Sequence, residues 1–163
     1  MADTQQDKRM TTFKYEPPEI PPARGKVSVN LARTDIANFT IQRAIKGLGE
    51  TNMHAHTAAD SHWFVLAGEV EFYGYGDVLI GRLGKHEGIT IPRGVPYWFK
   101  AVSDEPLEII HASGRTSTVK SERVNYTPTL ERMKLSGRDA SAEERAWAAQ
   151  VTKDSVKQES AKR

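Results

Sequence analysis

Between Lys26 and Ser113 the chain is a succession of strand-length apolar runs, and no helical pattern interrupts them. "KVSVNL", "FTIQRAI", "HWFVLAG", "EVEFYG", "DVLIGRL", "GITIP", "PYWFKAV" and "LEIIHA" are rich in β-branched and aromatic residues. The turn signals "GLGE", "GYGD", "GKHEG", "PRG" and "SDEP" fall between them. Strands at such short, regular spacing leave no room for the crossover connections of a parallel sheet, which take a dozen residues or more. The pattern predicts an all-β, antiparallel sandwich or barrel.

The flanks differ in texture. Residues 1–24 are polar and then proline-rich ("YEPPEIPPARG"), which favours an extended arm with few backbone donors. Residues 25–117 form the barrel region and 118–163 a C-terminal tail. In that tail "SAEE" reads as a capping box, Ser141 as cap and Glu144 three residues on, and predicts a helix over about 141–153 with Trp147 and Val151 as its apolar anchors. At 163 residues one domain with its own core is expected.

Composition removes several function classes. Without a single cysteine there can be no disulfide, thiolate metal site or cysteine nucleophile. The net charge is only +2, and its basic excess is a mixed-sign run in the tail, ten positive against seven negative residues over 120–163. That argues against a nucleic-acid partner. Neither a secretory signal nor a membrane-length apolar run is present, and a cytoplasmic protein with no membrane partner is expected.

The chemistry-bearing stretch is "MHAHTAADSHWFVLAGEVEFYG", residues 53–74. His54 and His56 sit at i and i+2 of a strand-like segment, so both imidazoles project from one face and could grip one ion. Alternation then places Ser61, Trp63 and Val65 on the same side of the next strand, and Tyr97, Phe99 and Ala101 on that of "PYWF". This makes an aromatic wall with a few convergent polar groups, the form of a small-molecule site; the alternative is that Trp63 and Phe99 simply fill the core. His62, Phe64, Leu66 and Trp98 fall on the opposite face, an apolar load suited to a homodimer interface.

"HAH" at 54–56, "DSHWFVLAGEVEF" and "GKHEGITIPRGVPYWF" together resemble the two signature motifs of the cupins, G-x5-H-x-H-x3-4-E-x6-G and G-x5-P-x-G-x2-H-x3-N. The resemblance spans roughly residues 26–113 and implies a double-stranded β-helix, or jelly-roll, barrel. It implies His54 and His56 as metal ligands for one divalent transition metal (Fe, Mn, Ni or Zn). The family glutamate, however, aligns with Ser61, its later histidine with Tyr97, its asparagine with Ala101, and the first glycine of the second motif with His86. Two of four expected ligands are therefore replaced, by groups that bind metal poorly. Tyr97, His111, or Asp60 or His62 turned inward by a bulge, are the candidates to complete the shell; His86 lies in a glycine-flanked turn facing solvent.

Two classes of function fit these residues. One is a cupin enzyme, of oxygenase, isomerase or decarboxylase type, with His54, His56 and Tyr97 catalytic and Ser61, Trp63, Tyr97, Phe99 and His111 against the substrate. It acts either through a metal or through His–Tyr proton transfer. The other is a non-catalytic binding or sensor barrel whose metal site has decayed. The expected partners are a small organic molecule and a second copy of the chain.

Overall fold

The structure is a computed structural model that describes residues 9–129 and 135–162. Nine strands follow one another as the turn residues dictate: β1 (Lys26–Arg33), β2 (Ala37–Ala44), β3 (His54–His56), β4 (Ala59–Ala67), β5 (Val70–Gly74), β6 (Val78–Leu83), β7 (Gly88–Ile91), β8 (Trp98–Ala101) and β9 (Leu107–Arg115). They build a five-stranded sheet in the order β1-β2-β9-β4-β7, facing a three-stranded sheet β6-β5-β8. All pairings in these two sheets are antiparallel. The antiparallel all-β class expected from the spacing is observed, with the jelly-roll form that the motif resemblance implies.

Strand alternation decides what lies inside. Along β4 the side chains of Ser61, Trp63 and Val65 are buried while those of His62 and Phe64 are exposed. Val65, Val70, Phe72, Leu107 and Ile109 have no more than 1 % of their surface exposed and form the barrel floor. Each contributes about 1.5–3 kcal/mol by leaving water. Gly68 joins β4 to β5 with a φ of 71°, a left-handed turn position open at little cost only to glycine.

Three features depart from the sequence reading. The bulge in β4 falls between Val65 and Ala67, beyond the histidine, so nothing rotates Asp60 or His62 inward. Asp60 instead accepts a hydrogen bond from the Arg93 amide at 2.8 Å, and His62 meets the Thr90 hydroxyl at 3.0 Å.

Secondly, residues beyond 117 supply two short strands, β10 (Arg123–Asn125) and β11 (Arg138–Asp139), which make a third sheet on β3 in the order β11-β10-β3. β10 runs antiparallel to β3 with Arg123 opposite His56, and parallel to β11. A three-residue strand offers too little alternation to stand out in sequence.

Thirdly, helix α1 (Ala142–Ser160) runs seven residues further than expected, since nothing in "KDSVKQES" breaks it. Its start is the expected one: Ser141 Oγ accepts from the Glu144 amide and the Glu144 carboxylate accepts from the Ser141 amide. Its buried residues are Ala148 and Thr152, whereas Trp147 is 47 % exposed. Thr152 makes a close approach, since a Cβ on Gly74 would lie 2.8 Å from it, while Ala148 packs with Met53, Ala55, Val124 and Tyr126. Thr152 Oγ1 also accepts from the Tyr75 amide. Among the described residues, no helix is long and apolar enough to cross a membrane.

Candidate functional site

The seven side chains singled out from sequence form one contiguous cluster that packs on the floor through Phe72. His54 and His56 stand edge to face with ring centroids 5.1 Å apart, and His54 lies 5.2 Å from the Tyr97 ring. A pair of backbone hydrogen bonds between His54 and Tyr97 ties the strand of "HAH" to the entry of β8. His111, directly opposite Trp63 on the neighbouring strand β9, stacks flat on its indole at 4.0 Å and 7°. Its Nε2 lies 3.0 Å from Ser61 Oγ. Trp63 meets Phe99 at 5.0 Å and Tyr97 at 6.3 Å.

Trp63, Tyr97 and Phe99 are 4, 6 and 8 % exposed and pack into the core cluster with Phe72. They are the wall and the filling of the barrel at once. His56 and His111 remain half-buried, so the polar end of the cluster reaches solvent. We refer to this end as the mouth.

Burial sets the protonation states. The His54 imidazole is pushed down to about 3, first by desolvation and then by the Arg123 guanidinium. His111 falls to about 4 through desolvation, with His56 and Lys26 adding to it. His56 is lowered by burial, Arg123 and Arg115. Burial raises the Tyr97 phenol to about 12, against the opposing influence of Ser61 and Trp63 beside its hydroxyl. At neutral pH the mouth therefore holds three uncharged imidazoles and a protonated phenol.

His54 is held from behind. Its Nδ1–H donates to the Asn52 carbonyl at 2.8 Å, which leaves Nε2 as the free lone pair. Asn52 in turn donates to Asn125 Oδ1 at 3.0 Å and the Thr127 carbonyl at 2.9 Å, and accepts from Arg123 at 2.5 Å. Asn52, Lys26 and Arg123 are absent from the sequence-derived site. Arg123 lies past the expected end of the barrel, and Lys26 reads as an ordinary strand opener. The run "RVNY" at 123–126, with its β-branched and aromatic residues, was the available signal.

The donor set does not fit a resident divalent cation. Among the described residues no group of three or more His, Asp or Glu side chains converges to hold one. Ser61 is engaged with His111, and the nearest charges are the cations Arg123 and Lys26. Two imidazoles fall short of the three protein ligands usual in catalytic metal sites.

Residues 42–113 match the family model described as the Cupin domain. Solved structures of similar shape include a conserved protein with a double-stranded β-helix domain from Klebsiella pneumoniae, 15 % identical, with a TM-score of 0.56 over 67 % of this chain and 90 % of that one. An RmlC-like cupin protein from Desulfovibrio desulfuricans is 20 % identical, with a TM-score of 0.56 over 65 % and 97 %. KdgF from Halomonas is 19 % identical, with a TM-score of 0.54 over 67 % and 97 %. At these identities the likeness is one of fold. No curated protein matches the sequence. The match over residues 42–113 and the jelly-roll topology agree on a cupin fold for the barrel.

Proposed function

We propose that the barrel mouth binds a small organic molecule and that its own side chains, rather than a resident metal, handle it. The observation that carries this reading is the contact of His111 Nε2 with Ser61 Oγ at 3.0 Å, in the same buried cluster as the Tyr97 phenol. Tyr97 holds a proton it can donate, and His111 presents a neutral nitrogen that can receive one. Ser61, which is 2 % exposed, can pass a proton between them because a hydroxyl donates and accepts at once. Trp63 fixes the plane of the His111 ring, and His54, anchored through Nδ1, turns its free Nε2 toward the bound molecule. Such an arrangement suits proton transfer of the isomerase or decarboxylase kind, and equally the polar recognition of a ligand that is not changed.

One observation favours a second reading. The Nδ1 anchor of His54 is the support that metal-binding imidazoles commonly have, and a cation could arrive with ligand atoms of its own.

The test is elemental analysis after anaerobic metal repletion, together with imidazole NMR spectra of the protein titrated with small organic molecules. Metal-free protein whose mouth histidines respond to a ligand supports the first reading. About one equivalent of transition metal, lost in both His54→Ala and His56→Ala, overturns it in favour of the second.

A further inference from the structure

The mouth carries two cations that the seven-residue cluster does not account for. Arg123 faces His56 across the β10–β3 pairing, and one end of its guanidinium is spent on Asn52 Oδ1. Its Nε is buried without a hydrogen-bond partner. Lys26 opens β1 and lays its ammonium over the Phe99 ring, 5.3 Å from the centroid, within electrostatic reach of His54, His111 and Arg123. Among the described residues neither cation is in an ion pair, although nine other pairs are formed. Glu50 is the acid whose field is felt at Lys26, and Arg115 adds a third cation at the rim of His56.

A second unmatched donor lies deeper. Trp63 is 4 % exposed, and its Nε1–H has no hydrogen-bond partner. Buried donors left unpaired, and cations drawn out of water without a counter-charge, each cost free energy that a bound acceptor would recover. The surrounding imidazoles are neutral and supply no negative charge. Charge and donor pattern thus ask for the same occupant.

We propose that the ligand of this mouth carries an oxyanion, a carboxylate or phosphate group, held between Arg123 and Lys26, with its remaining part against Trp63 and Tyr97. The proposal rests on the reading of the mouth as a small-molecule site and names the class of molecule. Arg123 keeps its unpaired Nε–H for an oxygen of the ligand, and Lys26 serves as a point charge to either group. The same two cations explain why a divalent metal is unwelcome here.

The experiment is a titration of the full-length protein with benzoate, its neutral counterpart benzamide, and inorganic phosphate at matched ionic strength. Imidazole and indole NMR resonances are followed in the wild type, Arg123→Gln and Lys26→Met. Benzoate is expected to move the His54, His56, His111 and Trp63 signals saturably, benzamide to bind at least tenfold more weakly, and each variant to lose at least tenfold in benzoate affinity. Phosphate competing with benzoate would mean that the oxyanion itself is recognised; benzoate binding without such competition would assign the site to carboxylates. Benzamide binding as tightly as benzoate, unaffected in the variants, overturns the oxyanion while leaving the small-molecule site. Mouth signals unmoved by all three probes at tens of millimolar overturn both. Should Arg123→Gln fail to fold, Lys26→Met decides alone, because Lys26 makes no side-chain hydrogen bond among the described residues.

Discussion

At the barrel floor, Val65, Val70, Phe72, Leu107 and Ile109 are sealed by hydrocarbon alone, whereas the equally dry patch behind His54 is held by Asn52, Asn125 and an arginine. The floor draws on strands that alternate regularly, and any side chain of suitable volume can serve there. The amide patch joins Asn52 to a residue 73 positions away and works only if each donor finds its own acceptor. The difference explains why one part of the barrel is a foundation and another can be a site. Directed bonds fix a ring at one angle, and dispersion forces do not.

The sharpest way to break this comparison is to truncate each region in turn. Phe72→Ala should cost about 3–5 kcal/mol in urea unfolding, while Phe72→Leu should cost less than about 1.5 kcal/mol, because the floor counts volume. If the two substitutions prove equally costly, the floor is not the forgiving region described. Asn52→Ala should cost about 1–3 kcal/mol by leaving Asn125 and Arg123 short of partners, and should also shift the His54 imidazole signal. A cycle with Asn125→Ala should be strongly non-additive; additive costs would show that the amides do not act as a unit.

Acid sharpens the contrast further. A histidine whose folded pKa lies near 3 takes up its proton in the unfolded state first, from its ordinary value of 6.5 downward. The stability that neutral His54 contributes is therefore complete above about 6.5 and declines as the pH falls toward 3, by at most about 1.4 kcal/mol per pH unit. His111 acts in the same sense down to about 4. Carboxylates such as Glu144, ordinarily near 4.5 and here held at about 2 by Arg138, exert their effect lower down. Between pH 6.5 and 4.5 the slope should thus flatten in His54→Asn, whose amide can keep the donor to the Asn52 carbonyl. An unchanged slope would mean that His54 is not kept neutral by its surroundings. The smallest effect is expected at the helix start, where Ser141→Ala should cost about 1 kcal/mol or less and loosen hydrogen exchange in α1 while leaving the floor untouched.

How much of this was legible in the sequence follows from the same contrast. Period-two alternation placed Ser61, Trp63 and Val65 inside and His62 and Phe64 outside without knowledge of any partner strand. The "SAEE" box marked the start of α1 for a similarly local reason. What stayed hidden was long-range. Arg123 reaches the site only because three residues of β10 pair with "HAH", and Asn52 becomes an anchor only once Asn125 has arrived. The inward turn of Asp60 or His62 needs a bulge whose position no pattern announces, and the helix face that is buried, Ala148 and Thr152, is set by distant partners, among them Val124 and Gly74.

The position of β10 in the chain bears on the order in which the protein is made. When a ribosome has released residues through 117, both larger sheets have all their strands, yet β3 still lacks its neighbour and His54 its braced amide. The nascent barrel can thus close before its mouth is finished. Arg123, Asn125 and Thr127 follow all the strands of the two larger sheets, so the site is assembled only after the stretch that carries them has emerged.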